Sequence, residues 1–363
     1  MIRLLVVDDS ALMRRLLRDI FQAESDFEVA FAHDGTAALA ALAEFKPHVV
    51  TLDVQMPGMD GLACLDRIIL ERPTPVVMVS SLTKAGAEIT LQALELGAVD
   101  FVAKPGGAVS LAMDELGPKL VETVRAASRA RLRPSLRLAE RVRLRAGRAI
   151  PATRSRKVGL ATPSGAPMQV APDKDGLVLV GCSTGGPPAL DALLAPLPAD
   201  FPWPILVAQH MPAAFTGPLA RRLDSLCSLR VEEVTGPVQL TPGHVFVGRG
   251  DADLIVSTRV GRLVAMAAPS DRGHRWHPSV DRLVSSAMQH RSTEQLVGVL
   301  MTGMGNDGVT TMARLHAAGG RTIAEAEETA VVWGMPGELV RAGGAGVVAP
   351  LDAIAGVLME WLG

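Results

Sequence analysis

The sequence predicts two α/β domains in tandem, each built on a doubly wound, mostly parallel sheet, with a basic segment between them. Three observations predict it. Short apolar runs alternate with helical patterns in both halves of the chain, which is the rhythm of βαβ units. Most of these runs are apolar throughout, as strands buried on both faces of a parallel sheet must be. Charge is distributed unevenly: residues 1–124 carry 10 basic and 18 acidic side chains, 125–175 carry 13 and 3, and 176–363 carry 13 and 17. Two acidic blocks thus flank a basic one, under a net charge of only −2.

In the first block, strands are expected at 2–7, 28–32, 47–52, 75–80 and 100–104, the second being the weakest. Helices are expected at 11–23, 35–44, 61–71, 87–96 and 113–128. Five strands alternating with five helices make a (βα)5 domain over 1–124. Residues 125–157 hold eleven arginines, and Pro151, Pro163, Pro167 and Pro172 follow with Gly, Ser and Ala. A linker over 125–175 is expected, its early part able to prolong a helix. From Gly176 the βα rhythm resumes, with strands at 176–181, 204–210, 244–248, 295–303, 321–325 and 346–350. Helices are expected at 187–195, 214–226, 278–290, 307–317 and 351–362. The stretch 231–265, rich in Gly and Pro turns, predicts a small antiparallel insert within the second domain, 176–363.

Composition excludes several classes. At 48% apolar and 20% charged the chain can bury cores, so general disorder is excluded. No uncharged apolar run approaches the ~18 residues of a membrane span, and no basic-then-apolar leader opens the chain, so a soluble, cytoplasmic protein is expected. Cys64, Cys182 and Cys227 are too few and scattered for a disulfide framework or a zinc site.

In the first domain Asp8 and Asp9 follow the first strand, Asp53 ends the third, Ser80 the fourth and Lys104 the fifth. All fall on the carboxyl edge of a doubly wound sheet, where ligand sites form. A lone strand-end aspartate often just caps the next helix. Three converging carboxylates repel one another unless a hard divalent cation such as Mg2+ sits among them. Lys104 would neutralise a phosphoryl group carried on the central aspartate, and Ser80 could hydrogen-bond one of its oxygens. Through VVDDS, TLDVQMPGMDG, MVSS and FVAKP this half resembles the response-regulator receiver family, a flavodoxin-like fold, across 1–122. The resemblance implies that Asp53 is the phosphoacceptor, that Asp9 and Asp53 bind Mg2+ with Asp8 contacting it through water, and that Ser80 and Lys104 sense the phosphoryl group. Phe101 stands where the family often has tyrosine, so no hydroxyl is available there.

In the second domain a strand runs into Gly181-Cys182-Ser183-Thr184-Gly185, a G-x-S-x-G turn that exposes a serine above the sheet edge. The following helix start offers free N–H groups to an oxyanion. Taken alone, such a turn often binds phosphate or merely turns. His210 ends the next strand and is a better base than His244, His274 or His277, which sit in turn-rich segments. Asp307, in LMTGMGNDG after a third strand, could orient the imidazole. The order Ser183, His210, Asp307 differs from that of α/β-hydrolases.

The motifs GCSTGGP, VAQHMP, LTPGHVFVGRGD, HPSVDRL, LMTGMGNDG and VVWGMP, behind a receiver, are similar to the chemotaxis-type protein-glutamate methylesterases. That resemblance implies demethylation of glutamates on methyl-accepting chemoreceptors, with glutamine deamidation in many members, and a chemotaxis-type histidine kinase as phosphodonor. It implies Ser183 as nucleophile, His210 as general base and acid, Asp307 as orienting acid, the N–H groups of Thr184 and Met304 as oxyanion hole, and no cofactor for the esterase. It implies also that the unphosphorylated receiver covers the approach to Ser183. The chain departs from the family's pattern at Trp276-His277, where arginine often precedes the Pro-Ser run, at Cys182 in place of alanine, and at Glu325 in place of glutamine. A Cys182 nucleophile is the alternative to Ser183. The arginine-rich linker is either a solvated spacer or an electrostatic dock for an acidic partner. A nucleic-acid reading lacks aromatic interleaving and a helix-turn-helix, and a silent receiver-regulated scaffold would not need an intact triad.

Overall fold

The computed structural model describes residues 1–81, 83–104, 109–130 and 176–362. Most of the expected linker therefore lies outside the described residues.

The first domain is a five-stranded parallel sheet in the order β2-β1-β3-β4-β5, formed by β1 (Ile2–Val7), β2 (Phe27–Ala32), β3 (Val49–Asp53), β4 (Val76–Ser81) and β5 (Asp100–Lys104). Five helices cover it: α1 (Ala11–Gln22), α2 (Gly35–Phe45), α3 (Gly61–Glu71), α4 (Lys84–Leu96) and α5 (Val109–Ala127). Side-chain oxygens of Ser10, Asp34, Asp60 and Thr83 cap the first turns of α1 to α4, each accepting from the backbone N–H three residues on. α5 ends at Ala127, one residue from the expected end at 128, though it begins earlier than 113, and Arg125 near its end is tied to Glu24 and Asp26.

The second domain has a seven-stranded, all-parallel sheet in the order β15-β14-β13-β6-β7-β10-β8. Its strands are β6 (Leu177–Cys182), β7 (Ile205–Gln209), β8 (Arg230–Val234), β10 (His244–Gly248), β13 (Leu296–Leu300), β14 (Arg321–Glu325) and β15 (Val347–Ala349). The helices are α6 (Gly186–Leu194), α7 (Ala213–Leu226), α8 (Val280–His290), α9 (Val309–Ala317), α10 (Met335–Arg341) and α11 (Leu351–Leu362). Alternate residues of one strand feed opposite layers. Val178 and Val180 of β6 pack with Leu190 and Leu358, whereas Leu177 and Leu179 pack with Leu283 and Leu300.

A separate antiparallel sheet, in the order β11-β12-β9, is formed by β9 (Val238–Gln239), β11 (Ala252–Arg259) and β12 (Arg262–Pro269). It is the expected insert, but its bounds differ from 231–265. It runs on to Pro269, while Arg230–Val234 joins the main sheet parallel to β10. RVEEV buries Val231 and Val234 in the two opposite apolar layers and exposes Arg230 and Glu232, as an edge strand of a sheet covered on both faces can. The strand expected at 295–303 stops at Leu300, and the short α10 was not expected.

The two domains pack against each other along α4, β5 and α5 of the first. Leu91, Leu94 and Phe101 share one buried apolar cluster with Phe215 and Leu219 of α7, and the Phe101 and Phe215 rings lie 4.3 Å apart, centroid to centroid. Arg222 of α7, largely buried, bridges Glu95 of α4 and Asp191 of its own domain. Removing one partner of such a desolvated pair leaves the other charges uncompensated, at a cost of about 2 kcal/mol or more. Arg222→Ala is therefore expected to loosen the docked arrangement without unfolding either domain. Solution scattering should register a larger radius of gyration, and an unchanged radius would count against the bridge.

Candidate active site and receiver pocket

Backbone hydrogen bonds beyond the strand ends stitch the catalytic edge together. Ser183, directly after β6, donates its N–H to Thr302 O at 2.9 Å, and His210, directly after β7, donates to Cys182 O at 3.1 Å. The turn after Ser183 closes tightly, with Gly186 N to Ser183 O at 2.8 Å, and Gly185 takes the left-handed conformation (φ 76°) that glycine adopts without strain. Gly303 lies so near Ser183 that a Cβ there would fall 2.8 Å from Ser183 Cβ. Nothing larger fits between nucleophile turn and third strand end.

Asp307 is nearly fully buried at the N-terminus of α8 and accepts from four donors. These are His210 Nε2 at 2.8 Å, Val280 N at 2.7 Å, Ser279 Oγ at 3.0 Å and Asp281 N at 3.1 Å. Burial works against its charge. The His210 hydrogen bond and charge and the backbone donors outweigh it, and its carboxyl lies below the usual carboxylate range. Because Nε2 is spent on Asp307, the tautomer leaves Nδ1 as the basic nitrogen. Nδ1 is buried and has no hydrogen-bond partner among the described residues. Ser183 and His210 line one cavity of about 390 Å³. Thr184 and Met304 line it too, and their backbone N–H groups make no hydrogen bond among the described residues. Ser183, His210, Asp307, Thr184 and Met304, the set expected from the sequence, are thus brought together on one sheet edge, with the imidazole tautomer fixed and two backbone donors unpaired among the described residues.

Several neighbours were not foreseen. Gln209 is buried and donates from Nε2 to both Ser183 O (3.0 Å) and His210 O (3.1 Å), locking the two strand ends. A lone polar residue in the apolar run before His210 was its only sequence signal. Trp276 stacks on the His210 imidazole, centroids 5.9 Å apart and planes 7° from parallel. His277, also at the cavity, is held through Nδ1 by the buried Asp253 at 2.9 Å. Glu325 is buried and accepts from Thr302 N at 2.8 Å, so the carboxylate positions the strand end that carries Gly303. Cys182 is fully buried and donates to Gln209 Oε1, and burial pushes its thiol far above the ordinary range.

The receiver closes this cavity. Asp100, Phe101, Ala103, Pro118, Lys119, Glu122 and Thr123 form its other wall. Asp100 Oδ2 accepts from the Thr184 hydroxyl at 2.5 Å, one residue from the nucleophile. On the first domain's own carboxyl edge, ligand atoms of Asp8, Asp9 and Asp53 lie within 4.8 Å of one another. Lys104 Nζ stands 2.7 Å from Asp53 Oδ2 and 3.0 Å from Asp8 Oδ2. Burial, with the Asp8 charge adding to it, raises the Asp53 carboxyl in spite of Lys104. Asp8 Oδ2 is buried and accepts no well-aligned hydrogen bond. Crowded carboxylates with an under-satisfied buried oxygen fit a hard divalent cation. Ser80 is buried and its hydroxyl is turned to Gly86 O at 3.3 Å.

A receiver-type sheet whose signalling edge is intact, packed over a serine-hydrolase edge, defines a response regulator with an enzymatic output. The comparisons agree: residues 178–358 match the family described as CheB methylesterase, and residues 4–113 match the response regulator receiver domain. A protein-glutamate methylesterase/protein-glutamine glutaminase of Rhodopseudomonas palustris is 58% identical over 363 residues, covering 99% of this chain and 98% of that protein. One from Rhodospirillum rubrum is 49% identical, covering 100% and 96%. The crystal structure of the Thermotoga maritima CheB methylesterase catalytic domain aligns at 37% identity and TM-score 0.50, covering 52% of this chain and 98% of that one. The chain belongs to the CheB methylesterase family and carries its receiver domain. No helix among the described residues is long and apolar enough to cross a membrane.

The geometry predicts two effects of one substitution. Asp307→Asn, which offers the wrong partner to Nε2–H, should lower kcat by about 10⁴-fold. It should also remove the carboxylate's stabilisation. Since the folded-state pKa is lowered, that contribution is complete above about pH 4 and is lost as pH falls through the lowered value. The Tm difference between wild type and variant should therefore hold steady at neutral pH and shrink only in acid. A difference that shrinks between pH 8 and 6 would contradict this.

Proposed function

We propose that the chain hydrolyses γ-methyl esters of glutamate residues on methyl-accepting chemoreceptors, and deamidates glutamines there, through Ser183, His210 and Asp307, with its receiver as the brake. The observation that carries the reading is the cavity holding Ser183 and His210 under a receiver wall, with Asp307 fixing the imidazole tautomer. His210 Nδ1 takes the Ser183 proton as Oγ adds to the ester carbonyl carbon. The oxyanion so formed is held by the N–H groups of Thr184 and Met304. Collapse breaks the ester C–O bond, and His210 returns the proton to the departing methanol. Water, deprotonated by His210, then cleaves the acyl-serine to free glutamate. With glutamine, ammonia takes the place of methanol. No step calls for a metal or cofactor in the esterase.

Residues 1–124 form the receiver, 125–175 the linker and 176–363 the catalytic domain in this reading. Asp53 accepts a phosphoryl group from a chemotaxis-type histidine kinase. Asp9 and Asp53, with Asp8 contacting it through water, would hold Mg2+, which would supply charge neutralisation there. Lys104, now ion-paired with Asp53, would shift to the phosphoryl oxygens, and the Ser80 hydroxyl would leave Gly86 O for another of them. Phe101, next to Asp100 and against Phe215, lies where that rearrangement would reach the interface. The brake must be worth only a few kcal/mol, since a shift from 1:99 to 99:1 already takes about 5.5 kcal/mol of differential stabilisation. We place the protein in the cytoplasm, where receptor signalling domains and kinase are met. Nucleic acid is not a partner in this reading.

Methanol release from a methylated receptor tests the chemistry. Ser183→Ala should abolish it and Cys182→Ala should retain it; the reverse pattern would move the nucleophile to Cys182. Regulation is tested with a small phosphodonor, which should label wild type and accelerate methanol release. Asp53→Ala and chelation should each prevent both effects. Labelling that survives either treatment would displace the phosphorylation site.

A further inference from the structure

The receiver does not cover the active site with a flat surface. Pro118, Lys119, Glu122 and Thr123, which line the cavity, are spaced i, i+1, i+4 and i+5 on α5, so one face of a helix lies along the mouth. Glu122 pairs with Arg275 at 2.6 Å. Arg275 lies over the Trp276 ring, 5.2 Å from its centroid, and Trp276 in turn stacks on His210. Arg275 is 64% exposed even with the receiver in place, so once α5 withdraws it is a free guanidinium at the rim of the cavity. Among the described residues the other basic side chain lining the catalytic domain's side of the cavity outside the triad is His277, which is anchored to Asp253.

We infer that Arg275 is a specificity-determining residue that binds a carboxylate on the substrate helix, one turn from the methylated glutamate, and that Glu122 of α5 occupies its place in the resting enzyme. The proposal deepens the reading above and rests on it. The mouth already holds a helix face with one carboxylate on Arg275, and it holds that face with a charge-assisted hydrogen bond. A receptor helix bearing a carboxylate three or four residues from the ester presents the same stripe. α5 and substrate are therefore alternatives at one guanidinium, and the acidic side chain, rather than the ester, is what they share.

The test uses the full-length enzyme and methylated receptor, with methanol as readout and phosphodonor present for the substrate arm. Arg275→Glu should raise KM about tenfold, the loss of one charge-assisted contact, with kcat within about twofold. Replacing the receptor's acidic residues three and four positions from the methylated site by glutamine should raise the wild-type KM similarly and add nothing in the Arg275→Glu variant. Arg275→Lys should recover part of the loss. Without phosphodonor, Glu122→Gln should release the resting enzyme several-fold, and Glu122→Arg combined with Arg275→Glu should restore the brake. Additive effects of enzyme and receptor changes, or an unaltered KM in Arg275→Glu, would overturn the inference while leaving the esterase reading in place. Absence of methanol from the wild type would overturn both.

Discussion

The catalytic half of the molecule depends on one buried carboxylate. Asp307 receives the His210 imidazole, the Ser279 hydroxyl and two N–H groups from the first turn of α8. These donors come from two separate segments and the carboxylate from a third, so a single charge sets where the second strand end, the helix and the third strand end meet. The helix terminus favours that charge, and the charge in turn holds the helix to the sheet edge. Had the carboxylate been neutral, the imidazole would lack an acceptor to fix its tautomer, and the α8 terminus would lose its anionic partner.

Around that centre, positioning is achieved mostly by groups that touch no substrate. Gln209 ties the chain at Ser183 to the chain at His210, Glu325 holds Thr302, and Thr302 Oγ1 donates back to Thr184 O at 2.8 Å. The glutamate is an example of how a departure from a family pattern is absorbed. Its oxygen accepts from a backbone N–H, which an amide oxygen also does. The receiver adds one further tie, from Asp100 to the Thr184 side chain. The receiver domain thus reaches the residue next to Ser183 directly.

Much of this was legible from the chain because parallel strands advertise themselves. GLVLVG, PILVAQH and LVGVLMTG are apolar runs that end at, or a few residues before, Ser183, His210 and Asp307, and a doubly wound sheet sends every such end to the same edge. The same logic placed Asp8, Asp53, Ser80 and Lys104. What escaped notice lacks that periodic signal. RVEEV, with two adjacent glutamates, follows neither the continuous apolar nor the alternating pattern yet lies at the parallel sheet's edge, and MPGELVR is too short for helical periodicity to emerge. Trp276 and His277 occupy a turn, where no register foretells which way a ring will face. Asp100 with Thr184, and Arg222 with Glu95, join the two domains, and pairings between separately folded layers leave no trace in local pattern.

The strand order has a consequence for how the protein is made. In the first sheet every strand's partners lie within one or two βα units, so the receiver closes once its last helix, α5, has left the ribosome. In the second, β6 sits between β7 and β13, and Leu177 is paired with Leu296. The strand that carries the nucleophile therefore waits, with one edge unpaired, until the chain beyond Leu300 has been synthesised. Asp307 arrives later still. During translation the finished receiver precedes the completed sheet edge that gathers Ser183, His210 and Asp307.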